Sequence, residues 1–174
     1  MTAKGHMFLA TALAYLPINY IANTYSHVEA AISLSMIVLG SLLPDIDEPK
    51  SYIGQKAFYL SYPLKLFGLK HRTITHWLIT PVLIGLVGYY FVEHELLSLI
   101  LLSIAFGIFA HDIGDLLTNG GINGFLFPFF RNTKIGLLPR VLRFETFSVT
   151  EMFFIILLIG FNAYFYSKIL VQIV

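Results

Sequence analysis

Between Gly107 and Gly121, a run that starts out almost wholly apolar carries one histidine and two carboxylates, His111, Asp112 and Asp115. If the run from Leu96 continues as a helix, His111 and Asp115 stand at i and i+4 on one face, with Asp112 one residue round from His111. That is a metal-ligand spacing. Ionisable groups in an apolar segment are costly, normally face a protein interior or a wet cavity, and mark a functional site. Two further groups match it in chemistry. Leu43-Pro44-Asp45-Ile46-Asp47-Glu48-Pro49 sets two carboxylates at the close of an apolar segment, and in extended chain Asp45 and Asp47 would point to the same side. His71-Arg72-Thr73-Ile74-Thr75-His76-Trp77 carries two imidazoles, with Arg72 and His76 at i and i+4 if helical.

The plainer readings are an acidic turn in water for Asp45 and Asp47, and a cationic anchor beside an interfacial aromatic for Arg72 and Trp77. Those readings leave His71 and His76 unexplained. With His6 near the start of the chain, the expected metal ligands are His6, Asp45, Asp47, His71, His76, His111 and Asp115. Asp47 serves equally as a carboxylate that holds a histidine or arginine in place. Counting Asp112 as well, these groups exceed the four positions of a typical zinc ion, but suit two ions sharing a carboxylate. Such a centre activates water and neutralises a phosphoryl oxygen and its leaving group. Arg72 would grip a phosphate with its planar fork, and His76 or Asp112 would move the proton. The expected cofactor is one or two divalent ions, zinc first, with manganese or iron also compatible with this ligand set.

The elements that must position these groups are membrane helices. The chain has 174 residues, 57% hydrophobic and 12% charged, with a mean hydropathy of +0.77, which is an integral membrane composition. An all-α bundle is expected, one domain over residues 1–174, with segments at about Gly5–Asn23, Val28–Leu43, Trp77–Val92, Leu96–Leu117 and Glu151–Val174. Net charge is only +1 and no basic run interleaves with aromatics, so nucleic acid is not an expected partner. The absence of cysteine excludes disulfides and thiolate ligands. The first segment lacks a small-x-small cleavage site and reads as an uncleaved helix, kinked or ended early at Pro17.

Between the second and third segments, Asp45–His76 mixes aromatics with lysines and reads as interfacial helices broken at Pro63 and Gly68. Thr118–Gly124 is rich in turn formers and should end the fourth segment. Phe125–Phe130 follows as re-entrant or interfacial material, and Arg131, Lys134, Arg140 and Arg143 approach the last segment. With a cytoplasmic N-terminus, Lys4, Lys50–Arg72 and Arg131–Arg143 all fall on one side, as the positive-inside rule requires. His6, Asp45 with Asp47, His71 with His76, and His111 to Asp115 then converge at that same face. His27 and His94 belong to turns at the other. The expected substrate is a phosphoester of a membrane lipid or another amphiphile. The competing class is a metal-binding transporter or sensor, and a third is a structural bundle. No His-Glu-x-x-His signature supports peptide hydrolysis.

Taken together, Leu43-Pro-Asp45-Ile-Asp47, His71-Arg72-Thr-Ile-Thr75-His76, the Gly107 to Gly121 pattern and an early His6 resemble a family of bacterial and archaeal inner-membrane proteins. These are the membrane-bound metal-dependent hydrolases of the LexA-regulated type, and the resemblance runs from about His6 to Pro128. It implies a multi-pass inner-membrane protein with a resident metal. More distantly, the pattern is similar to the zinc-dependent phospholipase C and single-strand nuclease superfamily, soluble helical enzymes that cleave phosphoesters with clustered zinc ions. Carried over by residue, its early histidine matches His6, the aspartate after a helical segment Asp45, and the next histidine His71 or His76. Its His-x-x-x-Asp pair matches His111 and Asp115. Those enzymes also use a processed amino terminus as a ligand, and Met1 stands too far upstream of any matching site unless the chain is processed. They carry a later histidine pair too, whereas no histidine follows His111.

Overall fold

The structure is a computed structural model that describes residues 1–67, 71–130 and 133–171, the side chains of Leu170 and Val171 excepted. Gly68, the second expected break of the interfacial stretch, Arg131 and the last residues of the fifth expected segment lie outside the described residues. All five expected segments are helical. The first is divided into α1 (Ala3–Leu13) and α2 (Tyr15–Thr24). Pro17 explains the division: it has no N–H to offer Leu13, and it is tolerated only in the first turn of α2. Thr2 caps α1 by accepting from the Gly5 N–H at 3.3 Å.

Helix α3 (His27–Gly40) opens on Ser26 as its side-chain N-cap. The Glu29 N–H donates to Ser26 Oγ at 3.2 Å, and Ser26 Oγ donates to Glu29 Oε2 at 2.8 Å. Pro44 forbids continued α-helix, and the chain tightens into a 3-10 turn over Leu43–Asp47. The interfacial stretch forms α4 (Tyr52–Lys56) and α5 (Phe58–Leu66), with Pro63 inside α5 rather than at its end. Tyr59, Leu60, Leu66 and Phe67 are exposed along it. Helices α6 (Ile79–Tyr90), α7 (Glu95–Leu116) and α8 (Val149–Val171) follow. Between α7 and α8, β1 (Ile122–Asn123) pairs antiparallel with β2 (Lys134–Ile135), folding the basic loop back on the end of α7. Trp77 stacks on Phe127 at 3.9 Å between ring centroids.

Among the described residues, three stretches are long and apolar enough to cross a membrane: His27–Asp47, Glu95–Leu116 and Val149–Ile169. Ile79–Tyr90 is a shorter apolar helix. Helix α7 is central and packs against α3, α6 and α1, while α8 packs on α1 and α2. In α8, Asn162 Nδ2 donates to the Phe8 carbonyl at 3.0 Å and the Tyr166 hydroxyl to the Thr11 carbonyl at 2.9 Å, both on α1. In lipid there is little hydrophobic gain between helices, so close van der Waals contact must hold them. Two glycines supply it reciprocally. A Cβ on Gly40 would collide with the Ile104 carbonyl of α7, and one on Gly107 with the Ile37 carbonyl of α3. The backbones touch just one to two turns before the His111–Asp115 group, which fixes the distance from α7 to the Asp45 turn.

Overpacking a tight contact destabilises by about 1–3 kcal/mol. Gly107→Ala should therefore lower the thermal unfolding midpoint in detergent. Gly160→Ala should not, because no heavy atom lies within 4 Å of its added Cβ. An unchanged midpoint for Gly107→Ala would contradict the backbone contact.

Candidate metal centre

Four segments deliver the candidate groups to one end of the bundle. Helix α1 brings His6, the 3-10 turn brings Asp45 and Asp47, the loop before α6 brings His71, Arg72 and His76, and the last turns of α7 bring His111, Asp112 and Asp115. Local geometry departs from the sequence expectation twice. Asp45 and Asp47 lie in a 3-10 turn, not in extended chain, so they face different neighbours. Arg72 and His76 do not share a helix, because only Ile74–His76 is helical and Arg72 has a left-handed φ of 63°. Such a backbone costs a non-glycine residue roughly 1–2 kcal/mol. At Arg72 it accompanies a side chain held by a hydrogen bond from Nη1 to the Gly121 carbonyl at 3.1 Å.

The donor atoms converge on two carboxylates. His76 Nε2 lies 3.7 Å from Asp45 Oδ1 and 3.6 Å from Asp115 Oδ2. His111 Nε2 lies 3.6 Å from Asp45 Oδ1 and 3.8 Å from Asp115 Oδ2. These separations approach the edge of a tetrahedron of N and O ligands at the roughly 2.0–2.2 Å typical of zinc. His71 Nε2 adds to the Asp45 side at 3.9 Å, and His6 Nε2 to the Asp115 side at 3.4 Å. Two donor triads result, His6 with His111 and Asp115, and Asp45 with His71 and His76. The His6 and His111 rings stack at 3.6 Å.

The tautomers follow from what lies behind three of the rings. His111 Nδ1 is 2.7 Å from the Ser41 carbonyl, which can only accept, so Nδ1 carries the proton and Nε2 presents its lone pair. His71 Nδ1 is 2.7 Å from Asp47 Oδ1, with the same consequence. Thr75 donates its hydroxyl to Asp47 Oδ2 at 2.6 Å, leaving its oxygen to accept from His76 Nδ1 at 2.9 Å. Among the described residues, Nε2 of His76 and of His111 is buried without a hydrogen-bond partner, as are both nitrogens of His6. A histidine whose rear nitrogen is tied to a carbonyl or carboxylate is the usual metal-ligating arrangement. The donor set therefore fits a divalent cation. Burial disfavours the His71 imidazolium, but the hydrogen bond and charge of Asp47 outweigh this and raise its pKa above the ordinary histidine value.

Asp47 itself, 2% exposed, belongs to neither triad and holds His71, Thr75 and the Arg72 N–H. Asp112 is fully buried, has no hydrogen-bond partner for either oxygen among the described residues, and belongs to neither triad. His27 and His94 sit at the starts of α3 and α7, the ends away from the centre.

Asp115, 1% exposed, is contacted from several parts of the chain. Arg72 Nε reaches its Oδ2 and Arg72 Nη2 its Oδ1, each at 2.9 Å. The Met1 amino group donates to Oδ1 at 2.7 Å, so the expectation that Met1 stands too far upstream is corrected. The winding of α1 from Ala3 turns the preceding residues back toward α7. Glu151 at the head of α8 locks that arrangement, accepting from the Thr2 N–H and the Phe147 N–H, each at 2.6 Å. Thr75 entered the sequence analysis only as part of a motif, and Met1, Ser41 and Glu151 were missed as supports. Of these only Glu151 left a signal, a lone acid opening an apolar segment at the same membrane face.

Comparison with known proteins assigns a family. Inner membrane protein YdjM of Escherichia coli (strain K12) is 32% identical over 130 residues, covering 70% of this chain and 63% of that protein. Inner membrane protein YdjM of Shigella flexneri matches with the same figures. The matched region thus spans under two thirds of these curated relatives. No solved structure matches the chain. The family model for the YdjM inner membrane protein matches residues 1–169, nearly the whole sequence and every residue of the donor cluster, and the chain belongs to that family.

Proposed function

We propose that this membrane protein is a metal-dependent hydrolase that cleaves a phosphoester of a lipid or other amphiphile at the cytoplasmic face. The observation that carries the reading is the set of three histidines whose Nδ1 atoms are each engaged from behind and whose Nε2 atoms meet two carboxylates. His76, His111, Asp45 and Asp115 would hold one divalent ion, zinc by ligand type, with manganese or iron compatible. Two ions would instead take one triad each, His6 with His111 and Asp115, and Asp45 with His71 and His76.

When bound, such an ion supplies an activated water and neutralises charge on a phosphoryl oxygen. Arg72 is the cation at the rim, 20% exposed and already engaged with Asp115. Its Nη N–H groups not turned to Asp115 or to the Gly121 carbonyl suit the oxygens of a phosphate, orienting the phosphoryl group toward the donor cluster. Asp112, buried one residue from His111, is the group we assign to carry a proton to the leaving alkoxide. Asp47 and Thr75 act as positioning residues, holding the His71 and His76 rings toward the site. The exposed aromatic stretch of α5 favours an amphiphile delivered along the interface.

Elemental analysis of the purified full chain should find one to two ions per chain, with His111→Ala and Asp115→Asn losing them. Asp47→Asn should weaken metal affinity by about 10–100-fold while remaining loadable at high metal, the usual consequence of loosening a histidine from behind. Wild type that is metal-free and cannot be reloaded would overturn the reading. On a phosphodiester in mixed micelles, Arg72→Lys should lower turnover by about a hundredfold or more at unchanged metal content. Stoichiometric metal without hydrolysis of any phosphoester would point instead to the transporter or sensor class.

A further inference from the structure

A polar cavity lies in the loop between α7 and α8, outside the donor cluster. It has a volume of about 400 Å³ and is lined by Asn119, Lys134, Arg140 and Arg143. Among the described residues no carboxylate lines it, and none of the three cations forms an ion pair with one. Like charges gathered around one cavity repel, and an anion entering it relieves that repulsion.

The cavity is built rather than assembled from free side chains. Pairing of Asn123 with Lys134 places Lys134, and the Leu137 N–H donates to the Leu116 carbonyl at 2.8 Å, fastening the loop to the end of α7. Arg143 Nε donates to the Leu138 carbonyl at 2.6 Å, and its guanidinium lies against Gly136, where a Cβ would collide with it. The Asn119 N–H is held by the Phe144 carbonyl at 3.0 Å.

Its position gives the ligand chemistry. Val141 is 93% exposed and Leu142 65% exposed on the 3-10 turn between Arg140 and Arg143, and Leu137 is exposed beside them. Apolar side chains projecting among cations belong at the level of lipid headgroups. The Gly120-Gly121 turn joins the cavity to the metal centre. The Arg72 guanidinium packs on Gly120, and the Lys134 side chain lies 3.4 Å from a Cβ built on Gly121.

We propose that this cavity is an anion site that takes a phosphate group, one turn of chain away from the metal centre. A phospholipid headgroup and a soluble phosphate share the required chemistry. The site needs only the cavity, and stands whether or not the centre hydrolyses anything.

The test is calorimetric titration of the full chain in detergent with dihexanoyl phosphatidic acid, dihexanoyl phosphatidylcholine and inorganic phosphate. Phosphatidic acid should bind. Arg140→Gln and Lys134→Gln, which alter exposed side chains, should each weaken it about tenfold, the effect of losing one charge-assisted contact. Lys56→Gln, a cation on α4 outside the cavity, should leave it unchanged. Chelator-treated wild type should bind as before, which separates this site from the metal reading. Inorganic phosphate binding as tightly as the lipid, through the same residues, supports the site with a soluble ligand. Tighter lipid binding supports it with a headgroup. Equal binding of phosphatidylcholine, indifference to Arg140→Gln and Lys134→Gln, or an equal loss in Lys56→Gln would overturn it, the last leaving only the diffuse positive field of a cytoplasmic loop.

Discussion

A carboxylate withdrawn from water at the end of an apolar helix dictates much of this structure. Asp115 is 1% exposed, and an isolated charge so placed would cost several kcal/mol. The fold answers with opposite charge and hydrogen-bond donors from distant parts of the chain: the Met1 amino group, both nitrogens of the Arg72 fork, and the imidazoles of His6, His76 and His111. Each answer constrains an element. The amino group requires α1 to start against α7, Arg72 requires the loop before α6 to cross the end of the bundle, and His111 comes from α7 itself. Asp45, arriving from α3, completes the cluster because Gly40 and Gly107 let those two helices approach to backbone contact.

Much of this was legible in the sequence, and the reasons separate by physical type. Helix content and membrane class follow from apolar run length, which no tertiary detail alters. The i, i+4 pairing of His111 and Asp115 follows from helix geometry. Convergence of the four groups follows from the positive-inside rule combined with short turns, because once the ends of consecutive segments alternate, groups at those ends share a face. What was not legible depended on backbone conformation in short irregular segments. The left-handed Arg72 and the 3-10 turn at Asp45 have no periodic signature, so the helical reading of one and the extended reading of the other differed from the structure. Nor does spacing reveal that Met1 folds back to Asp115, since this rests on Glu151, one hundred and forty-nine residues from the Thr2 amide it holds.

The division of labour among the acids is clearer in three dimensions than in one. Asp45 and Asp47 are two residues apart and chemically equivalent, yet the tight turn sends one toward three imidazole Nε2 atoms and the other behind His71 and Thr75. A buried polar network is favourable only when its members are satisfied. Here Asp47, Thr75 and Ser41 satisfy the rear of each ring, and the Nε2 atoms of His76 and His111 are left facing Asp45 and Asp115. The arrangement extends outward through Arg72 and the Gly120-Gly121 turn to the cationic loop, so the histidine and carboxylate cluster and the basic cavity share one wall.

The most direct test of the central claim, that these histidines and carboxylates together coordinate a cation, is X-ray absorption spectroscopy at the zinc edge on the loaded full chain. The zinc should show a shell of nitrogen and oxygen only, at about 2.0–2.2 Å. It should also show outer-shell scattering from imidazole that diminishes in His76→Ala and His111→Ala. A zinc spectrum without imidazole scattering, or one identical in wild type and both variants, would contradict the claim.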